Sequence, residues 1–205
     1  MTDMKKGKFE GKIVWITGAS SGIGEATAYR MAQENATLIL TALERDLLEK
    51  VAERCKSLGA PDARPLPFDL SQTEQLPQLA EEARNLFGRV DVLYNNAGIS
   101  QRATVLDTEM PVIRKVMEID YFAPVILTKA VLPKMIENGG GQLVVTTSIA
   151  GRFGFPPEPS RKSRTTHALR RNRRSAAESR SGLRCWLSPP AGLPHFPPFW
   201  AERPL

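Results

Sequence analysis

The first three quarters of the chain alternate between continuous apolar runs and stretches with apolar residues at helical spacing. Runs of about four to eight apolar residues are typical of strands buried on both faces of a sheet, and helical spacing is typical of the helices that cover it. The predicted strands are 12–17, 37–42, 63–70, 90–98 and 141–148, the third being the weakest. The predicted helices are 25–35, 45–59, 71–88 and 110–137. Strands that alternate with helices predict an α/β fold with a doubly wound parallel sheet of the Rossmann type.

The second predicted helix shows the clearest apolar stripe. Leu47, Leu48, Val51 and Cys55 are expected on one face of it, packed against the sheet. Gly59 follows the last turn, where glycine commonly ends a helix. This helix is therefore expected to end close to residue 59.

Polar residues and prolines predict the boundaries of the later helices. Ser71 with Glu74 three residues on predicts a capping box at the start of the third helix, and Pro77 falls in its first turns, where proline is tolerated. The long helical segment 110–137 is expected to be interrupted near Pro124 and to end in the sequence NGGG.

Both patterns stop after Phe155. The segment 156–205 has nine Arg, one Lys and three Glu, which sum to +7, and it holds nine of the sixteen prolines. The net charge of the whole chain is +6, so residues 1–155 sum to about −1. We therefore divide the chain into a folded domain, 1–155, and a basic tail rich in Pro and Arg, 156–205, with the composition of disordered segments.

The basic average charge and the two cysteines carry little functional information. A pI near 9.5 suggests a nucleic acid or an acidic membrane as partner, but the positive charge lies in the tail. Cys55 and Cys185 match no metal-binding or disulfide spacing, so both are interpreted as reduced thiols. The N-terminus has too short an apolar run for a signal sequence or a membrane span. The sequence predicts a soluble, cytoplasmic protein without a metal.

A glycine motif, TGASSGIG at 17–24, joins the first predicted strand to the first predicted helix. Glycines at this turn let the backbone approach a pyrophosphate, whose charge then lies against the N–H groups of the following helix. The alternative is a plain glycine turn, which the position between a strand and a helix disfavours.

Three further motifs follow the glycine motif in order: FDL at 68–70, NNAG at 95–98 and TTSIAG at 146–151. Together the four resemble the short-chain dehydrogenase/reductase family, of the classical type, over roughly 9–155. The resemblance implies an oxidoreductase that transfers a hydride between a nicotinamide dinucleotide and a carbonyl or alcohol carbon of a small molecule. It also implies a homo-oligomer, although the part of the family fold that forms the usual interface is missing here.

The resemblance assigns cofactor contacts to particular residues. Asp69 would contact the adenine amine with Leu70 beside it, and residues 96–98 would line the adenine ribose side. The predicted cofactor-binding residues are Thr17, Gly18, Ser20, Ser21, Gly22, Ile23, Gly24, Arg45, Asp69, Leu70, Asn96, Ala97 and Gly98. As alternatives, Asp69 could be a helix cap and Asn95 a turn residue.

The choice between NAD and NADP depends on the end of the second strand. There an acidic residue binds the ribose 2′-hydroxyl of NAD, whereas basic residues favour NADP. The family commonly has Asp at the position of Ala42 in NAD enzymes, and often Arg at the next position in NADP enzymes. Ala42 argues against NAD and Leu43 against NADP, while Glu44 and Arg45 could be a solvated helix start. The sequence slightly favours NADP, with Arg45 as a candidate contact.

The family's catalytic residues are present only in part. Ser148 matches the serine that hydrogen-bonds the substrate oxygen, and Asp120 stands where the family has an asparagine that supports a water relay. Asp120 either binds that water as an acceptor or is tolerated without a role. No Tyr follows Tyr121, and Lys162 is the only lysine of the tail, so the family's Tyr-x-x-x-Lys is absent.

Two functional hypotheses remain. The first is a short-chain oxidoreductase whose reading frame shifts near Phe155, which leaves the domain truncated and inactive. The second is a non-catalytic dinucleotide-binding protein whose tail binds nucleic acid or acidic surfaces through RRNRR at 170–174. The second is weaker, because no aromatic residue lies among these charges before Trp186.

Overall fold

The computed structural model describes residues 7–101, 103, 104, 106–148, 186 and 187. In these residues the strands form one sheet in the order β3-β2-β1-β4-β5-β6. The strands are β1 (Ile13–Thr17), β2 (Thr37–Thr41), β3 (Ala63–Pro65), β4 (Val92–Asn95), β5 (Gln142–Val145) and β6 (Trp186–Leu187). The α-helices are α1 (Gly22–Gln33), α2 (Arg45–Ser57), α3 (Leu76–Phe87), α4 (Met110–Met117) and α5 (Ala123–Glu137).

The first five strands are parallel, which confirms the predicted doubly wound sheet. β1 pairs with β2 on one side, with Ile13 opposite Thr37, and with β4 on the other, with Trp15 opposite Leu93. The strand order therefore runs outward from β1 through β2 and β3 on one side and continues through β4 and β5 on the other, so it reverses between β1 and β4. In folds of this kind, ligands bind at the carboxyl ends of the strands next to such a reversal.

Alternate residues of the central strand enter two separate cores. Val14 and Ile16 of β1 pack in a cluster that includes residues of α1 and α2. Ile13 and Trp15 pack in a second cluster with residues of α3 and α5. The Trp15 indole Nε1 donates to Thr41 Oγ1 at 2.9 Å, so the one polar atom of this buried ring is satisfied. The sheet is thus covered on both faces, as the unbroken apolar runs predict.

β6 belongs to the predicted tail. It pairs antiparallel with β5, with Leu143 opposite Trp186. The predicted disorder of 156–205 otherwise lies outside the described residues.

Two local predictions are wrong. Leu47 is 42% exposed, because it lies about 100° around α2 from Leu48, and Ala52 joins the buried stripe instead. The capping box does not form either. A 3₁₀ turn at Thr73–Gln75 precedes α3, whose N-cap Gln75 makes no side-chain hydrogen bond.

The predicted interruption near Pro124 is confirmed. A π-helical turn, Glu118–Phe122, separates α4 from α5 just before that proline. The turn carries Asp120, one of the predicted site residues, so the irregular segment lies at a predicted functional position. Among the described residues, no helix is long and apolar enough to cross a bilayer.

Candidate functional site

A cavity of about 470 Å³ lies at the carboxyl ends of the parallel strands. Small-molecule sites usually measure about 300–1,000 Å³. The lining residues come from the loops after β1 to β5 and from the α4 segment: Gly18, Ser20, Ser21, Ile23, Ala42, Leu43, Glu44, Phe68, Asp69, Leu70, Asn96, Ala97, Gly98, Ile99, Lys115, Ile119 and Thr146. The topology therefore brings the glycine motif, FDL, NNAG and the start of TTSIAG to one place.

Gly18, in the loop after β1, and Gly24, in the first turn of α1, have no room for a side chain. Gly18 has φ +66°, and a Cβ there would lie 2.7 Å from Ala97 Cα. A Cβ on Gly24 would lie 2.1 Å from the Gly18 carbonyl oxygen and 2.6 Å from Asn96 Nδ2. The backbone therefore packs tightly at the start of α1, where the first N–H groups of a helix have no partner in that helix and can bind an anion.

Asn96 and Thr17 fasten this loop to the end of β4. The buried Thr17 Oγ1 accepts hydrogen bonds from the amides of Asn96 and Ala97 at 3.0 and 3.1 Å. Asn96 Nδ2 donates to the carbonyl oxygens of Thr17 and Gly18, both at 3.2 Å. Thr146 Oγ1 donates to Asn96 Oδ1 at 3.0 Å, which adds the end of β5. Three neighbouring strand ends are thereby held in one arrangement.

Asp69 lines the cavity and also forms a local turn. Its Oδ1 accepts from the Ser71 amide at 2.9 Å and from the Ser71 hydroxyl at 2.7 Å, so the Ser71 side chain is bonded within this turn and not at the start of α3. The Ser71 amide, and after it the hydroxyl, holds the pKa of Asp69 below its usual value, and the charge of Lys115 adds to this. The carboxylate form is therefore favoured at the cavity wall.

Asp120 acts on the loop after β4. Its Oδ1 accepts a hydrogen bond from the Ile99 amide at 2.8 Å, and a Cβ on Gly98 would lie 3.5 Å from the same oxygen. Asp120 is not among the residues that line the cavity. In this structure the carboxylate holds the backbone that follows NNAG.

The other predicted site residues fall into two groups. Those that line the cavity are Gly18, Ser20, Ser21, Ile23, Asp69, Leu70, Asn96, Ala97 and Gly98. Those that do not are Thr17, Gly22, Gly24, Arg45, Asp120 and Ser148. The exposed Ser148 lies three residues beyond the end of β5, and the positions where the family's Tyr and Lys are expected lie outside the described residues.

Several lining residues were missed from the sequence. Arg45 was predicted as a cofactor contact, but it does not line the cavity, and its Nη1 lies 3.9 Å from Glu49 Oε1 along α2. The preceding residue, Glu44, was not predicted and does line the cavity. Lys115 and Ile119 also line it, and only their helical spacing of four could have indicated a shared face. Among the described residues, no group of His, Cys, Asp or Glu could hold a metal ion.

The model of the short chain dehydrogenase family matches residues 12–160. The chain belongs to this family. The match includes the glycine motif, FDL, NNAG and TTSIAG, so the family resemblance predicted from those motifs is confirmed. The matched range extends beyond Ser148, the last described residue of the loop after β5.

Curated relatives of the family match about 70–74% of the chain. Human dehydrogenase/reductase SDR family member 7 is 42% identical over 147 residues, which are 70% of this chain and 43% of that protein. Mouse estradiol 17-beta-dehydrogenase 11 is 39% identical over 152 residues, 74% of this chain and 51% of that protein. The chain thus spans about half the length of these relatives.

Solved structures of the family have the same fold. A metagenomic short-chain oxidoreductase in complex with NADP matches with a TM-score of 0.69 and 29% identity, over 73% of this chain and 67% of that one. NAD⁺-bound xylitol dehydrogenase matches with a TM-score of 0.69 and 34% identity, over 73% of this chain and 58% of that one. Cofactor type therefore differs among similar structures.

Proposed function

We propose that residues 7–148 hold a nicotinamide dinucleotide, in an oxidoreductase fold for the interconversion of a carbonyl and an alcohol. The observation that carries the proposal is the tight packing of the glycine loop against NNAG. Gly18 and Gly24 leave no space for a side chain, so the backbone packs closely against NNAG at the N-terminus of α1, where the first N–H groups of the helix can bind a pyrophosphate. A bound dinucleotide would supply or accept the hydride.

The residues around the cavity fit the adenosine diphosphate half of such a cofactor. Residues of the loop after β1 would bind the pyrophosphate at the N-terminus of α1. Asp69 Oδ1 already accepts two hydrogen bonds from Ser71. The second carboxylate oxygen of Asp69 is therefore the atom available to accept a hydrogen bond from the adenine amine. Leu70 and Ile119 give the adenine apolar walls. NNAG would lie along the adenine ribose side.

We infer that this chain binds the dinucleotide without efficient turnover. Reduction of a carbonyl needs a group that protonates the developing alkoxide, and such general acids usually contribute about 10²- to 10⁴-fold in rate. Ser148 can donate a hydrogen bond to that oxygen, but its hydroxyl is a poor acid, and Asp120 as a carboxylate only accepts. None of the three tyrosines, Tyr29, Tyr94 and Tyr121, follows Ser148 in the sequence.

The test combines binding and turnover on the full chain. Titration with NADH, followed by its fluorescence, should saturate, while NADH and NADPH assays with a panel of ketones should give rates no higher than buffer. The absence of saturable binding would contradict the proposed site. Robust ketone reduction that is lost in Ser148→Ala would contradict the proposed inactivity.

We also propose a frame shift near Phe155, a cytoplasmic location and a small carbonyl or alcohol as substrate. Binding of nucleic acid by the basic tail involves residues outside those described, and no observation favours it over the dinucleotide proposal.

A further inference from the structure

A buried tyrosine outside the four motifs, Tyr94, contacts a residue of the candidate site. Only 5% of Tyr94 is exposed, and it packs in the same core cluster as Ile16 and Val144. Ile16 of β1 and Val144 of β5 are also the residues opposite Tyr94 in the sheet. Close packing on both sides therefore holds the ring, and with it the phenol oxygen, in one position on this face of the sheet.

The phenol reaches Thr146, a residue that lines the cavity at the end of β5. Residues two apart along a strand point to the same face, so Thr146 follows Val144 on the face that Tyr94 occupies. Tyr94 Oη lies 2.7 Å from Thr146 Oγ1, and the Thr146 amide donates to the Asn95 carbonyl oxygen at 2.9 Å. Thr146 is thereby held at the cavity wall both by its backbone and by its side chain.

The chemistry of the partners fixes the direction of each hydrogen bond in this group. Asn96 faces the carbonyl oxygens of Thr17 and Gly18, which only accept, so its amide nitrogen must lie on that side. Its Oδ1 then faces Thr146, whose single hydroxyl proton it accepts at 3.0 Å. The Thr146 oxygen is left to accept, so the proton between it and the phenol comes from Tyr94.

The three side chains therefore form a series of hydrogen bonds that run in one direction, from Tyr94 through Thr146 to Asn96. The series ends on the Gly18 carbonyl oxygen, at the start of the glycine loop. Hydrogen bonds in such a series polarise one another, so each donor strengthens the next bond. Without the phenol hydroxyl, the exposed Thr146 side chain can rotate and donate to water instead of to Asn96.

We propose that Tyr94 is a positioning residue for the dinucleotide, because its hydroxyl, acting through Thr146, keeps Asn96 bonded to the glycine loop. The loop then stays in the arrangement that binds a pyrophosphate. The inference rests on the proposed dinucleotide function, and it gives a part in binding to a residue that does not line the cavity. If a variant populates the binding arrangement for less of the time, its affinity falls by the same factor. Loss of the hydroxyl should therefore weaken NADH binding without removing any contact with NADH.

The test is titration of the full chain with NADH, for wild type, Tyr94→Phe, Thr146→Val and the double variant. Tyr94→Phe keeps the buried ring and removes only the hydroxyl, so the dissociation constant for NADH should rise about three- to tenfold, as expected for one lost hydrogen bond. Thr146→Val interrupts the same series at an exposed position, without disturbing the core, and should raise it about tenfold. The double variant should exceed the larger single effect by no more than about twofold, because both residues act through one series of bonds.

Tyr29→Phe is the matched control for the loss of a phenol hydroxyl. The Tyr29 hydroxyl donates to Glu25 Oε1 at 2.8 Å, and neither residue lines the cavity. This change should leave the dissociation constant for NADH unchanged. The NMR spectrum without NADH gives a second readout. Tyr94→Phe should shift the signals of the Gly18 backbone amide and the Asn96 side-chain amide, and Tyr29→Phe should not.

The outcomes separate this inference from the proposed function. An unchanged NADH affinity in folded Tyr94→Phe would overturn the role of Tyr94 while leaving the dinucleotide site intact. Single effects that multiply in the double variant would also overturn it, because Tyr94 and Thr146 would then act separately. Equal weakening in Tyr29→Phe would overturn it too, since affinity would then follow overall stability. If the folded wild type does not bind NADH, the proposed function itself fails.

Discussion

Gly24→Ala is expected to lower the free energy of unfolding by about 3 kcal/mol and to weaken NADH binding at least tenfold. The added methyl group would lie 2.1 Å from the Gly18 carbonyl oxygen and 2.6 Å from Asn96 Nδ2. Gly18 cannot move away from this methyl group, because its own Cα already packs closely against Ala97. The loop must therefore move, and the backbone N–H groups at the start of α1 move with it. Urea denaturation and NADH titration measure the two effects.

Gly88→Ala is the matched control for this change. Gly88 ends α3 with φ +79°, and a Cβ there meets nothing within 4 Å. Alanine at this left-handed position is expected to cost about 1 kcal/mol of stability and to leave NADH affinity unchanged. Equal loss of NADH binding in both variants would mean that affinity follows overall stability and not the geometry of the loop.

Thr17→Val is expected to have the second-largest effect, a loss of about 3 kcal/mol in the free energy of unfolding. Valine has nearly the same shape, but it removes the oxygen that accepts from both the Asn96 and the Ala97 amide. Each amide left without a partner in a partly buried place costs about 1–3 kcal/mol. NADH affinity should fall as well, because these amides belong to the motif that lines the cavity.

Thr41→Val is the control, since Thr41 is equally buried on the neighbouring strand. Its Oγ1 accepts one hydrogen bond, from the Trp15 indole. We expect a loss of about 1–2 kcal/mol and unchanged NADH affinity. A cost at Thr17 no greater than at Thr41, with NADH binding retained, would contradict the role assigned to the Thr17 hydroxyl.

Much of the fold could be predicted from the sequence, because the strands are buried on both faces. Their unbroken apolar runs, such as that around Trp15, separate clearly from the helical spacing between them. Errors arose where two local interactions compete. Ser71 has the sequence context of a helix cap, yet Asp69, two residues earlier, takes both its amide and its hydroxyl.

The candidate site could be predicted as motifs but not as a geometry. The motifs identify Gly18, Asn96 and Asp69 as neighbours of a cofactor, and the parallel topology brings them to one cavity. The direction of a side chain at a helix start is set by contacts distant in sequence, such as that of Glu44 with Ser20. The contact between Asp120 and the Ile99 amide is likewise 21 residues apart. Neither contact has a signature in the local sequence.

The most direct test of the account is to map the NADH site by amide NMR on the full chain. Chemical-shift changes on addition of NADH should concentrate at the carboxyl ends of the strands, in the amides of Gly18, Ser20, Asp69 and Asn96. Amides at the opposite ends of the strands, such as those of Ala36 and Gly88, should not shift. Shifts confined to that opposite edge, or no shifts at saturating NADH in a folded protein, would contradict the proposed dinucleotide site.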